Sequence, residues 1–289
     1  MSSHTPVLLE ETLQYLSPQP GGRFIDATLG GGGHAQAILE RTSPGGPLLA
    51  TDRDESVLEH ARAVLEEFGP RVRLVRANFS DIADIATQQG FLQADGILAD
   101  IGVSSMMLDD PERGFSFMRE GRLDMRMDRS QDLDAAEVVN TYSEKEIADI
   151  LYQFGEERRS RPIAKSIVRS RPLSSTADLV GAVERVLGTP RFGQIHPATR
   201  TFQALRIFVN DELGSLEKFL DGAMTVVRPG GRVVVIAFHS LEDRIVKNKF
   251  RASIVPGKPL TKKVVIASVE ERRRNPRSRS AKLRAWERS

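Results

Sequence analysis

The chain has 289 residues, 40% of them hydrophobic and 28% charged, and contains no cysteine. At about 150 residues per domain this is one large domain or two smaller ones, long enough to bury a core without staples. The missing cysteines exclude disulfides, cysteine-ligated zinc or iron–sulfur centres and a thiol nucleophile, and they suit a reducing cytoplasm. The longest strongly apolar stretch, Val233 to Phe238, is far short of the roughly 20 residues that span a bilayer. Met1 leads into His4-Thr5-Pro6-Val7 without the basic and apolar regions of a secretory signal. These features predict a cytoplasmic protein with no membrane partner. The formal net charge of +2 hides an asymmetry: residues 244–289 carry 15 Lys and Arg against 3 Asp and Glu, and residues 1–243 carry 26 against 36. A basic tail on an acidic body predicts a polyanionic partner, most simply nucleic acid, with a solvated surface segment as the plainer alternative.

Five short apolar runs read as buried strands: Arg23–Thr28, Leu48–Asp52, Val72–Asn78, Gly96–Ile101 and Arg232–His239. Helical spacing separates the early ones; over Ser56–Glu67 it puts Val57, Ala61, Val64 and Leu65 on one face. Alternating strand and helix predicts an α/β fold with a parallel sheet covered on both sides. After Ile101 about a hundred residues pass without a convincing strand. Ser143-Glu144-Lys145-Glu146 is a capping box opening a helix that Gly155 closes, and Ser175–Asp178 opens another that ends at Gly188. Residues 106–196 therefore read as an all-helical insertion in a discontinuous domain made of 1–105 and 197–289. One long helix is predicted between Pro197 and Pro229, with the stripe Phe202, Leu205, Val209, Leu213, Leu216, Leu220 and Ala223, and with Arg200, Gln203, Arg206 and Asn210 opposite. Lys263–Ser268 and Leu283–Trp286 read as a terminal strand pair.

In parallel sheets ligands sit beyond the carboxyl ends of the strands. The first strand ends in Asp26-Ala27-Thr28-Leu29 and then four glycines, Gly30 to Gly33, before His34. A turn without β-carbons lets backbone approach a ligand, and the helix that follows offers free N–H groups. The second strand ends in Asp52, 22 residues after Gly30, near the spacing at which a carboxylate meets ribose hydroxyls; an N-cap is the plainer role for it. The third strand ends near Phe79, an aromatic placed to stack on adenine, and the fourth at Asp100, beside the central crevice. NAD and S-adenosylmethionine both fit these features.

The chain closely resembles the ribosomal RNA small subunit methyltransferase H family, also called the MraW family. The likeness spans nearly all of it: His4-Thr5-Pro6-Val7-Leu8-Leu9, Gly31-Gly32-Gly33-His34, Asp100-Ile101-Gly102-Val103-Ser104-Ser105, Glu112-Arg113-Gly114-Phe115-Ser116-Phe117, Leu123-Asp124-Met125-Arg126-Met127-Asp128, Gly155-Glu156-Glu157-Arg158, the run from His196 to Arg206, Phe238-His239-Ser240-Leu241-Glu242-Asp243-Arg244 and Asn275-Pro276-Arg277-Ser278-Arg279-Ser280. The resemblance implies a Rossmann-like class I methyltransferase sheet interrupted by a helical, substrate-recognition domain. It implies transfer of a methyl group from S-adenosylmethionine to the exocyclic N4 of a cytosine in the decoding region of 16S ribosomal RNA, within the small ribosomal subunit. Its cofactor positions fall on Gly32, Gly33, His34, Asp52, Phe79 and Asp100, to which the glycine turn adds Gly30. A further position, usually Gln, is Met107 here; a thioether packs but does not replace the amide's hydrogen bonds.

Transfer from a sulfonium is an in-line displacement, so alignment is the protein's main task. Asp100 and Ser104 are candidate acceptors for the cytosine amine, Asp100 with the alternatives of cofactor binding or capping. His239 is a candidate proton relay, with a backbone-bonded histidine as the alternative. RNA contacts are expected from Arg113, Arg126, Arg200, Arg206, Arg244 and the tail arginines, with internal salt bridges as the alternative for Arg126 and Arg200. Asp124, His196, Gln203, Asn210 and Ser240 complete the substrate set. The histidines show no ligand spacing, so no metal is expected; a homodimer stays open. Methylation at cytosine C5 usually needs a cysteine thiolate, so a chain without cysteine favours N4.

Overall fold

The structure is a computed structural model that describes residues 6–190 and 193–289; His4 and Thr5 of the first matching string lie outside the described residues. The chain divides into two compact units, one made of residues up to Gly102 together with Leu213–Ser289, the other of Val103–Glu212.

The first unit is built on a seven-stranded sheet: β1 (Phe24–Asp26), β2 (Leu48–Asp52), β3 (Val72–Arg76), β4 (Ala94–Asp100), β5 (Val227–Ala237), β6 (Gly257–Pro259) and β7 (Lys282–Arg288), in the order β3-β2-β1-β4-β5-β7-β6. The first five pair in parallel, as their apolar runs require when both faces are covered. Asp26 sits opposite Ala50 of β2 and Leu98 of β4, so Asp52 and Asp100 each lie two residues beyond it at the same end of the sheet. One face carries Ile25, Leu49, Ile97, Val233 and Val235 under the helices Ile82–Gln88 and Glu212–Val226. The other carries Phe24, Leu48, Ala50, Leu98, Val234 and Ile236 under Leu9–Leu16, Gly33–Arg41 and Glu55–Val64. No helix among the described residues is long and apolar enough to cross a membrane.

The basic segment 244–289 is no tail. β7 lies antiparallel between β5 and β6, and its Leu283, Ala285 and Trp286 are fully buried. Arg284 forks onto Asp243 at 2.6 and 3.2 Å, so part of the segment's positive charge is neutralised inside the fold, and Glu287 is held by Arg232 at 3.0 Å. The partner strand expected at Lys263–Ser268 reduces to one bridge, Val265 to Leu283; Gly257–Pro259 takes that place. Gly257 lies so close to Trp286 that a Cβ would come within 2.0 Å of the indole.

The second unit holds helices Ala135–Thr141, Glu144–Gly155, Ser160–Arg169, Thr176–Leu187 and Thr199–Asn210. Its described residues form no strand beyond the isolated bridge of Arg122 with Ser175. The capping box of Ser143 with Glu146 forms, and the helix read as starting at Ser175 carries a second one, Ser175 with Asp178. Gly188 caps its helix, but Gly155 does not stop the first: the chain turns at Glu156, in the left-handed region at φ 49°. Gly155 serves packing instead, since a Cβ there would meet the Arg200 carbonyl at 2.6 Å. The long helix expected between Pro197 and Pro229 breaks at Asp211, at φ 45°, a conformation that short polar Asp tolerates. Its apolar spacing runs on unbroken from Val209 to Leu213, which hid the break. The helix Thr199–Asn210, packed on Glu144–Gly155, therefore belongs to the second unit, and the boundaries fall at 102/103 and 212/213 rather than 105/106 and 196/197.

Trp286, stacked on Phe250 at 6.4 Å between ring centroids, tests whether the basic segment is core. Trp286→Ala is expected to lower unfolding free energy by about 3–5 kcal/mol in urea titration; a loss under about 1 kcal/mol would return the segment to the surface.

Candidate active site

The order β2-β1-β4 brings three carboxylates, Asp52, Asp26 and Asp100, to the carboxyl end of adjacent strands, at the point where the strand order reverses. Asp26 is 1% exposed. Its Oδ1 accepts the Thr28 N–H at 3.2 Å, while its Oδ2 is buried without a partner. Burial pushes the carboxyl up to about 6; the neighbouring His34 and the Thr28 N–H oppose that rise, and the charges of Asp100 and Asp52 add to it.

Beyond β1 the turn is tied down by backbone. Leu29 N–H donates to Thr51 O at 2.9 Å, and Gly30 N–H to Asp52 Oδ2 at 3.1 Å. Gly32, at φ 79°, caps the helix Gly33–Arg41 in a conformation suited to glycine. The first bond of that helix is Gln36 N–H to Gly32 O at 2.8 Å, so the amides of Gly33, His34 and Ala35 head an unclosed first turn. His34, on this turn, is buried, and neither ring nitrogen has a hydrogen-bond partner; Nε2 lies 3.6 Å from Asp100 Oδ2. The Asp100 N–H donates to Thr28 Oγ1 at 2.6 Å, and its Oδ1 is buried and unpartnered. Asp52 accepts the Asp54 N–H at 3.0 Å through Oδ1, and burial raises its carboxyl as well. The N-cap of the next helix is Asp54, so Asp52 keeps acceptor capacity on both oxygens.

Four buried polar groups without partners, on Asp26, on Asp100 and on both nitrogens of His34, are what a site for a zwitterionic ligand group leaves behind. The carboxylates suit an ammonium; the open helix turn and His34 suit a carboxylate. Phe79 is less available than the sequence suggested. Its ring is 8% exposed and packs on Phe219 at 5.2 Å, with the Arg53 guanidinium 5.9 Å from its centroid. Asp26, Thr28, Arg53 and Asn78 are site residues the sequence reading passed over; Arg53 Nη2 donates to Asn78 Oδ1 at 3.2 Å at the end of β3. Their signal was adjacency: Thr28 follows Asp26 by two residues, and Arg53 follows Asp52 directly.

His239 is held in a cap. Its Nδ1 accepts the Glu242 N–H at 3.4 Å, Nε2 lies 3.0 Å from Glu242 Oε1, and Glu242 Oε2 accepts the N–H groups of Phe238 and His239 at 2.8 and 3.2 Å. Nδ1 is engaged at the start of the helix Ser240–Arg251, the backbone-bonded arrangement that stood as the alternative to a proton relay, while Nε2 beside Glu242 Oε1 is buried without a hydrogen-bond partner. Ser240 opens that helix and Arg244 is exposed on it.

In the second unit Ser104 is the N-cap of Ser105–Asp109, accepting the Met107 N–H at 3.2 Å, and the Met107 side chain is 4% exposed. Most of the expected substrate contacts there brace the fold. Arg113 is buried and donates to the carbonyls of Arg126 and Met127 at 3.0 and 3.1 Å. Arg126 forks onto Asp124 at 2.9 and 3.0 Å and reaches Gln131 O at 2.7 Å; that guanidinium holds the Asp124 carboxyl below its usual range against the opposing effect of burial. Asn210 bridges Met127 N–H and Met125 O, both at 2.7 Å. Arg206 forks onto Glu212 at 2.8 and 2.9 Å, and Gln203 donates to Phe154 O at 3.2 Å. His196 packs on Phe117 with rings tilted at 39° and centroids 4.6 Å apart, and its Nε2 lies 3.5 Å from Glu184. Arg200 is exposed, its Nη1 3.4 Å from Glu156 O.

The antiparallel β7 set between β5 and β6, beside five parallel strands of which the central three end in acids gathered at the reversal, makes this a Rossmann-like class I methyltransferase sheet. The model of the MraW methylase family matches residues 1–289, and the chain belongs to that family. It is similar to the ribosomal RNA small subunit methyltransferase H of Symbiobacterium thermophilum, 50% identical over 98% of this chain and 95% of the relative. The protein of the same name from Acidobacterium capsulatum is 51% identical over 98% of each chain. Among solved structures, TrmN from Thermus thermophilus aligns with a TM-score of 0.48 and 16% identity, over 98% of this chain and 48% of that one.

The buried Asp26 makes stability depend on pH with a definite sign. Its folded value near 6 exceeds the ordinary 3.8, so its contribution is fully present below about pH 4 and lost as pH rises through 6. The loss is on the order of 3 kcal/mol for a shift of this size. Asp26→Asn is expected to stabilise the ligand-free protein by about 1–3 kcal/mol at pH 8 and hardly at all near pH 3, below the unfolded value, read by urea unfolding. Equal effects at the two pH values would show that ionisation of Asp26 plays no part.

Proposed function

We propose that the protein methylates the exocyclic N4 of a cytosine in the decoding region of 16S ribosomal RNA, in the small ribosomal subunit and hence in the cytoplasm, with S-adenosylmethionine as donor. The observation that carries this reading is the buried, unpartnered set on Asp26, His34 and Asp100 beside a glycine turn, in a chain of a methylase family. Relatives near half identity bear the name ribosomal RNA small subunit methyltransferase H.

The donor's ammonium is assigned to Asp100 and Asp26, its carboxylate to His34 and the open amides of Gly33, His34 and Ala35, and its ribose diol to the remaining lone pairs of Asp52. Its adenine is assigned to the edge of Phe79 and the Arg53–Asn78 pair. The bound donor supplies an activated methyl group on a sulfonium. The protein's part is to fix the line from the amine nitrogen through that methyl to sulfur. Held by Asp100, Asp26, His34 and Asp52, the donor would supply its methyl to N4 with the carbon–sulfur electrons retained on sulfur, and the amine would give up one proton to water. No thiol and no covalent enzyme intermediate is required, which agrees with a chain that has no cysteine. The target base leaves its stack to reach the site. Exposed basic residues, Arg200, Arg244, Lys262, Lys263, Arg273 and Arg279, are the side chains offered to RNA phosphates.

The test is transfer of labelled methyl from S-adenosylmethionine to small ribosomal subunits, followed by nucleoside mass mapping. The expected outcome is one N4-methylated cytidine in the decoding region, abolished by Asp100→Ala. Folded protein that binds S-adenosylhomocysteine yet labels no ribosomal RNA, or that labels C5, would overturn the reading.

A further inference from the structure

We propose that Glu271 is a positioning residue for the cofactor turn, acting through the segment Pro6-Val7-Leu8; the role rests on the reading of Gly30 to His34 as that turn. Leu8 has φ 53° and ψ 38°, the left-handed region that a branched side chain disfavours. Two things hold it there. Its side chain is fully buried, and its N–H donates to Glu271 Oε1 at 2.8 Å, across 263 residues of sequence. From this bend the chain goes two ways. Forward, Leu8 O accepts the Thr12 N–H at 2.8 Å and starts the helix Leu9–Leu16. Backward, Pro6 lies on Gly33, its Cγ 2.4 Å from where a β-carbon on that glycine would stand. Gly33 is the first residue of the helix that carries His34. The proline ring therefore forms the wall against which the open helix turn is seated, and the Leu8 bend sets where that wall stands.

Glu271 is well placed to hold the bend. Its backbone is fixed at both ends: the N–H donates to Ser268 Oγ at 3.0 Å, and the carbonyl accepts the Asn275 N–H at 2.6 Å. Its neighbour Glu270 is paired to Arg274. Loss of the Glu271 acceptor leaves the half-buried Leu8 N–H without its partner and removes one of the two restraints on a strained residue. The bend relaxes, Pro6 leaves Gly33, and the amides ahead of Gln36 lose their fixed direction. Binding of the donor weakens, although Glu271 touches neither donor nor RNA.

The experiment is calorimetric titration of S-adenosylhomocysteine into the full chain, with steady-state kinetics alongside. Glutamine keeps the carbonyl acceptor and alanine removes it. Glu271→Ala is expected to raise the Kd about tenfold, and Glu271→Gln to stay within about twofold of the wild type. The KM for the methyl donor should rise in step with Kd, while the KM for RNA holds. Wild-type affinity in Glu271→Ala, or equal weakening in both variants, would overturn the proposal. Pro6→Ala leaves the Leu8–Glu271 bond intact and removes the wall, so it should weaken binding too, and wild-type affinity there would equally overturn it. Failure of the wild type itself to bind would overturn the cofactor reading and this role with it, whereas a loss confined to RNA methylation with binding intact bears on the function alone.

Discussion

Three carboxylates gathered at the ends of β2, β1 and β4 set the terms for the rest of the first unit. Burial lifts Asp26 to about 6 and raises Asp52, and the three charges repel one another. Isolated buried carboxylates are costly, and here backbone does much of the compensating: N–H groups from Thr28, Gly30 and Asp54 turn toward them. That explains why the turn after β1 is glycine. A turn with side chains could neither bring Gly30 N–H onto Asp52 nor adopt φ 79° at Gly32 so readily. What backbone leaves uncompensated, the Asp26 and Asp100 oxygens and the His34 nitrogens, is a site with a net preference for a cation.

The second unit solves a different problem. Residues 110–134 contain little regular structure beyond the short turn Pro111–Arg113, yet many of their side chains are buried. Charge-assisted hydrogen bonds replace the missing ladders. Arg113 closes onto two carbonyls, Asp124 and Arg126 lock each other, and Asn210 pins the backbone at Met125 and Met127. Guanidinium groups that look like phosphate contacts in a sequence are here the internal fasteners of a long loop.

How far the sequence foretold this depends on the kind of signal. Strands were legible because burial on both faces produces continuous apolar runs, and β2 was read to the residue. The capping box at Ser143 was legible because it is a local, reciprocal bond, whereas at Ser175 only the helix start was read and not its box. The break at Asp211 was not, since an apolar stripe can continue across a left-handed residue without changing its spacing. β6 escaped because Gly-Lys-Pro carries no strand signal; it is specified by the indole of Trp286 beneath Gly257. At the site, glycines and strand-terminal acids announced themselves, whereas the partners of each arginine did not. Charge is visible in a sequence, but whether it meets a carboxylate 2.9 Å away is settled by tertiary packing.

The outer strands of the sheet bear on what the sheet can pair with. β3 presents exposed Arg73 and Arg76, and β6 is only three residues long, fully exposed, with Lys258 and Pro259 in it. Proline offers no N–H for pairing, and like charges on facing strands repel. Both margins are thus guarded against strand addition. A continuous sheet running from one molecule into the next is disfavoured at either side, so the aggregation route that open parallel sheets invite is opposed by a handful of residues at the rim.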